Sequence, residues 1–162
     1  MSDIFRILII LLLLSASLAA YFLVIGVFFP NRVTKAQRLI NQMPGRSFGV
    51  GLVNFLFFGV LAIVLFSVAE NTNGLVRGIL TFPALIIIGF LALLLSLGLA
   101  GTVNEVGARL FADQAHWRQT AWGSAILTFA CALPFVGWFL LLPFVVFKAI
   151  GATILGFFQR NE

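Results

Sequence analysis

Charge is scarce in this chain. Lysine, arginine, aspartate and glutamate make up 9% of its 162 residues, against 62% hydrophobic. A soluble domain carries roughly 25% charged residues, so the polar groups are too few to clothe a water-facing globule of this size. Cysteine is nearly absent. Cys131 stands alone inside an apolar stretch, which excludes an intramolecular disulfide, and a lone buried thiol behaves as a small hydrophobe. His116 is the single histidine. A metal or haem site draws on several such ligands, so no cofactor is expected. Segments of about ten residues that alternate apolar and polar are missing too, and with them the signature of a β-barrel.

The signatures of catalysis are also missing. The sequence has no HExxH, no paired intramembrane aspartates and no glycine-rich phosphate loop; Gly49-x-Gly51 simply opens an apolar run. The chain is therefore expected not to be an enzyme. Net charge is +5 and the calculated pI about 10.8. The cations gather mainly in one segment beside apolar blocks, which points to a membrane surface and away from nucleic acid.

What the chain has is long apolar runs, with a mean hydropathy of +1.14. A run of about 20 apolar residues matches a hydrocarbon layer of about 30 Å at 1.5 Å per helical residue. The expected fold is all-α: a polytopic transmembrane helix bundle with four or five membrane segments and short interfacial helices, forming one integral membrane domain. The spans read as 7–29, 49–69, 79–103, 119–133 and 138–158. The first begins like a signal peptide, but its apolar run continues through Tyr21–Phe29, which fits a membrane helix that also targets the chain. Pro83 is expected in the first turn of the third span, where proline is tolerated.

Between the first two spans lies the basic segment 31–48, with Arg32, Lys35, Arg38 and Arg46 and no acid. The positive-inside bias places it in the cytoplasm. Val33, Ala36, Leu39, Ile40 and Met43 recur with helical spacing. A short helix lying in the headgroup layer is expected, with its cations on anionic lipid; docking of a partner protein is the alternative. A second charged segment, 104–120, reads as a helix extending from the third span or as an interfacial helix; it spaces Glu105, Arg109 and Asp113 four apart, predicting two ion pairs along one helical edge. Trp117 and Trp122 suit the aromatic belt of a membrane surface.

The last apolar stretch, Ala121–Phe158, is too long for one span. Pro134-Phe135-Val136-Gly137-Trp138 near its middle reads either as a hairpin turn or as a kink in one long helix. The hairpin places Lys148 in mid-membrane, where a lysine costs roughly 2.5–3.5 kcal/mol on insertion scales; the kink places it at a span's end, free to snorkel. With Asn54, the one amide well inside a span and expected to hydrogen-bond across helices, Lys148 forms the intramembrane polar set. Small residues recur at helical spacing: Gly89, Ala92, Ser96 and Ala100 in the third span, Ser124 and Thr128 in the fourth, Ala152 and Gly156 in the fifth. Such rows let helices approach closely in lipid.

Three motifs carry a family resemblance. Pro44-Gly45-Arg46-Ser47-Phe48 leads a hydrophobic hairpin, Val106-Gly107-Ala108-Arg109-Leu110 follows it, and Pro134-Phe135-Val136-Gly137-Trp138 interrupts the tail. Together they resemble the membrane-embedded region that accompanies some bacterial bactofilin-type polymer-forming proteins, although the repetitive β-helical domain of those proteins is missing here. The resemblance implies a membrane anchor or scaffold and supplies no catalytic residue. The expectation is a scaffold or accessory subunit in a bacterial inner membrane, associating with itself or with other membrane subunits and with anionic lipid. The alternative is a small channel or transporter with Lys148 and Asn54 lining a polar path.

Overall fold

The structure is a computed structural model that describes residues 2–72, 74–133 and 135–158, with side chains from Phe5 onward. It is all-helical among these residues. The helices are α1 (Ser2–Phe28), α2 (Pro30–Gln42), α3 (Pro44–Glu70), α4 (Leu75–Leu110), α5 (His116–Ala132) and α6 (Leu142–Phe158), with a π-helical segment, Val136–Leu141, feeding α6. Four stretches are long and apolar enough to cross a membrane: Phe5–Phe28, Pro44–Glu70, Leu75–Leu110 and Val136–Phe158. The chain has the make-up of a multi-pass membrane protein.

Proline sets two of the boundaries. Pro30 and Pro44 each occupy a helix's first position, where the missing N–H is no loss and the fixed φ suits the helix. Pro83 differs from expectation. It lies inside α4, because that helix starts at Leu75, well before the apolar run begins. A helix does not need apolar residues to start, only satisfied backbone groups, so apolarity marks the membrane and not the helix end. For the same reason α3 begins at Pro44, and Arg46 belongs to its first turn.

The C-terminal half of α4 is the hub of the bundle. Its buried residues run from Leu94 through Gly107, while of its first half only Ala84 is buried. Phe22 of α1 and Val33 of α2 join Leu97, Ala100 and Val103 there in one core cluster; Ala36, Leu39 and Ile40 of α2 meet Ala152 of α6 in another. The apolar face of α2 is the face that the sequence marked, but protein covers it. The expected short helix forms, and its apolar face docks on α4 and α6. An amphipathic pattern requires an apolar neighbour and is blind to whether that neighbour is lipid or protein.

Backbones touch where glycine allows it. A Cβ at Gly51 would fall on the carbonyl of Phe147, and one at Gly151 on the carbonyl of Ser47. Gly98 meets the backbone of Ala149, Gly107 that of Gln119 and Gly123 that of Val103. These contacts bring α3 against α6, α4 against α6 and α4 against α5.

The chain reverses after α5. Leu133 is extended, and Phe135 has φ 67° and ψ −66°, values of the rare γ-turn centre and unusual for a bulky residue. Pro134, central to the predicted break, lies outside the described residues. Gly137 then folds back over the carbonyls of Ala130 and Cys131. At the far end of α6, Gly156 faces Lys35, and the guanidinium of Arg32 lies 4.2 Å from the Phe157 ring centroid. The hairpin of α5 and α6 therefore returns to the end of the bundle where the basic helix α2 lies. With 17 residues, α5 is about 25 Å long at 1.5 Å per residue, short of the full hydrocarbon thickness.

Candidate functional site

The basic end gathers most of the polar side chains that act between helices. Glu105 follows directly on the apolar run of α4 and is buried with it. Its carboxylate accepts from Nε of Arg109 at 2.6 Å; the glutamate side chain is 10% exposed and the arginine 63%. Arg109 also donates through Nη2 to Asn41 Oδ1 at 3.0 Å, joining the end of α2 to α4. Of the two ion pairs expected on this edge, only this one forms among the described residues. α4 stops at Leu110, so Asp113 sits in the turn beyond it and loses the i,i+4 register with Arg109.

One turn earlier, the buried amide oxygen of Asn104 accepts from the Thr120 hydroxyl at 2.7 Å, bridging α4 and α5. Gln119 closes the link between them: its Nε2 donates to the carbonyls of Phe111 and Gln114, each at 3.0 Å. Those carbonyls lie beyond α4's last turn and have no helical partner. Nothing in the sequence marked Gln119 or Asn104, because their value comes from a pairing across the turn. His116 is exposed at the start of α5. No group of three or more His, Cys, Asp or Glu residues that could hold a metal ion occurs among the described residues.

The four predicted cations border this end. Arg32 stacks on Phe157, Lys35 is half-buried on α2, and Arg38 and Arg46 are exposed. Lys148 is half-buried on α6 with Nζ 5.6 Å from the Phe144 ring centroid. It lies within electrostatic range of Glu105 and Arg109. No acid lies within its own apolar stretch, but the fold brings one near from α4.

Asn54 does not reach across helices. Its Nδ2 donates to the Val50 carbonyl of its own helix at 2.8 Å, the local bond that Ser, Thr and Asn side chains commonly make when a helix offers no other partner. Replacing it with leucine loses only that bond and is expected to change stability by less than about 1 kcal/mol, read as thermal unfolding in detergent.

The small-residue rows divide. Ala100, Ser124, Thr128, Ala152 and Gly156 are buried, whereas Ala92 is exposed and a Cβ at Gly89 would meet nothing within 4 Å. Ser96 lies between these extremes. Its hydroxyl donates to the Ala92 carbonyl at 2.8 Å, which leaves its lone pairs to accept from the Tyr21 hydroxyl at 2.7 Å and ties α1 to α4. The rows split because α2, α5 and α6 surround only the lower half of α4. Close approach falls instead to Gly98 and Gly101, on the face opposite the four-residue ladder, and to Gly107, which lies two turns beyond Ala100 on the ladder's own face.

No family model, curated protein or solved structure matches the chain, so the bactofilin-region resemblance rests on its three motifs alone.

Proposed function

We propose that this chain is a non-enzymatic scaffold or accessory subunit of a bacterial inner-membrane complex. The observation that carries this reading is where its polar side chains go. Inside the helices they turn back on their own backbone: Asn54 on Val50, Thr81 on Arg77, Thr102 on Gly98, Thr128 on Ser124 and Thr153 on Ala149. A conducting path needs such groups to face a common lumen, and a catalytic site needs them to converge on a reactant. Here they serve the fold. What remains outward is apolar helix surface on α1, α3 and the first half of α4, with Arg38 and Arg46 exposed at one end. This outward surface suits packing against other membrane helices and anionic headgroups.

The test is the mass of the assembly. Solubilised from its native membrane in mild detergent, the protein should run as an oligomer or with a stoichiometric partner. A bare 17.7 kDa chain that cross-links to nothing in the membrane would refute the reading. A channel or transporter predicts a different result: Lys148→Met would alter solute flux in reconstituted vesicles. The expected outcome is that wild type and variant both match protein-free vesicles.

A further inference from the structure

Lys148 is half-buried on α6, and the fold leaves its charge unanswered. Its ammonium makes no hydrogen bond and no ion pair among the described residues; it rests 5.6 Å from the Phe144 ring centroid. It is not among the polar atoms that the fold seals off, so it is open to a ligand from outside. Two charges of α4 lie within its range, Glu105 and Arg109. These bind each other at 2.6 Å, so the three groups together carry one uncompensated positive charge. Glu105 follows directly on the apolar run of α4, which puts that charge at the rim of the hydrocarbon. A cation held there calls for an anion beside it.

The surface next to Lys148 is aromatic. Phe144 stacks on Phe48 of α3 with ring centroids 5.5 Å apart; Phe48 meets Phe147 at 5.8 Å, and Phe147 meets Phe55 at 5.4 Å. Phe48 is one turn beyond Pro44, where α3 begins at the basic end. Phe55 is about 10 Å deeper at 1.5 Å per residue. The row of rings therefore leads from the ammonium towards the membrane interior, and Phe144 and Phe55 are 47% and 36% exposed.

A cation at the rim with an apolar wall descending from it complements an anionic headgroup joined to hydrocarbon chains. A soluble acidic partner would meet the ammonium and leave the rings uncovered. A second copy of this chain lacks a suitable acid. Among the described residues at this end it carries Glu105, already bound to Arg109, and Asp113, which lies in the turn beyond α4.

We propose that the crossing of α3 and α6 binds one anionic phospholipid, its phosphate on Lys148 and an acyl chain along Phe144, Phe48 and Phe55. The site rests on the membrane-spanning make-up of the helices and not on the scaffold reading. A bare monomer that kept its lipid would refute that reading and leave this one standing.

The experiment uses the full chain, stripped of lipid in detergent and titrated with phosphatidylglycerol or with phosphatidylcholine of the same acyl chains. Native mass spectrometry reads bound lipid per chain. The wild type should retain one phosphatidylglycerol and prefer it about fivefold, the factor that one basic residue contributes at an anionic surface. Lys148→Gln should bind both lipids equally. Arg118→Gln removes a cation that stacks on Trp117 at the start of α5, away from the site, and should keep the full preference. Phe144→Ala should weaken both lipids alike. Equal binding of the two lipids by the wild type would overturn the proposal, and that comparison needs no variant to fold. So would a preference that survives in Lys148→Gln, or one that Arg118→Gln lowers as much, which would mark a diffuse surface effect. A carbodiimide cross-link from Lys148 to an acid of a second copy would overturn it too.

Discussion

Gly51→Leu or Gly151→Leu is expected to cost the protein at least about 3 kcal/mol, at or beyond the upper end of the overpacking range, and to prevent recovery of a monodisperse protein after heating. The reason is backbone contact. At this crossing a Cβ on either glycine meets main-chain atoms of the facing helix, and main chain cannot rotate away as a flexible side chain can. α3 and α6 would have to separate, and with them the contact of α6 with α4 and α2. Even alanine should be destabilising at both positions. Gly89→Leu is the matched control. It makes the same substitution in a membrane helix, yet its Cβ meets nothing within 4 Å, so unfolding should be unchanged within error. Size-exclusion chromatography with intrinsic fluorescence across a temperature series distinguishes these outcomes. A Gly89→Leu protein that melts as low as Gly51→Leu would show that close packing runs along the other face of α4.

The second large effect is expected at Glu105 and Arg109, and it should be asymmetric. Arg109→Met strands a carboxylate in a buried position and frees Asn41 from its link to α4. Removing one partner of a buried pair costs roughly 3–5 kcal/mol. Because the arginine side chain is 63% exposed, solvent screening lowers the expectation to about 1–3 kcal/mol. Glu105→Gln removes the charge and keeps the shape, leaving a mostly solvated arginine, and should cost less than half as much. Reversible unfolding in mixed micelles measures both. Equal losses would mean that Glu105 is better hydrated than its 10% exposure implies.

Composition made the helical class and the first three membrane helices legible, because long apolar runs have few other physical solutions. It also revealed the correct buried face of α2, with Val33, Ala36, Leu39 and Ile40. It did not reveal which helices cover that face, since lipid tails and a protein core impose the same pattern. Span ends and helix ends differ for a related reason: α4 continues beyond the apolar run to Leu110 through Asn104 and Glu105, which stay buried because α5 and α2 supply partners that only the fold brings near. The small-residue rows show the limit of spacing as a signal. α4 carries small residues on more than one face, and only the placement of α2, α5 and α6 decides that Gly98, Gly101 and Gly107 are the crowded ones. Asn54 looked exceptional as an amide in a span, yet its bond to Val50 is one that any helix offers. Ser124 was visible as a small residue but not as a buried hydroxyl without a partner among the described residues, because that property belongs to the space around it.

The account depends most on the last forty or so residues folding back, so that the end of α6 shares a side with the basic helix α2. Cysteine-accessibility labelling with a membrane-impermeant maleimide tests this directly, in a Cys131→Ala background. Single cysteines at Asn41, Thr72 and Phe158 report on the end of α2, the turn between α3 and α4, and the end of α6. The expected result is that Asn41→Cys and Phe158→Cys react from the same face of sealed vesicles and Thr72→Cys from the opposite face. Labelling of Phe158→Cys together with Thr72→Cys, and apart from Asn41→Cys, would contradict it.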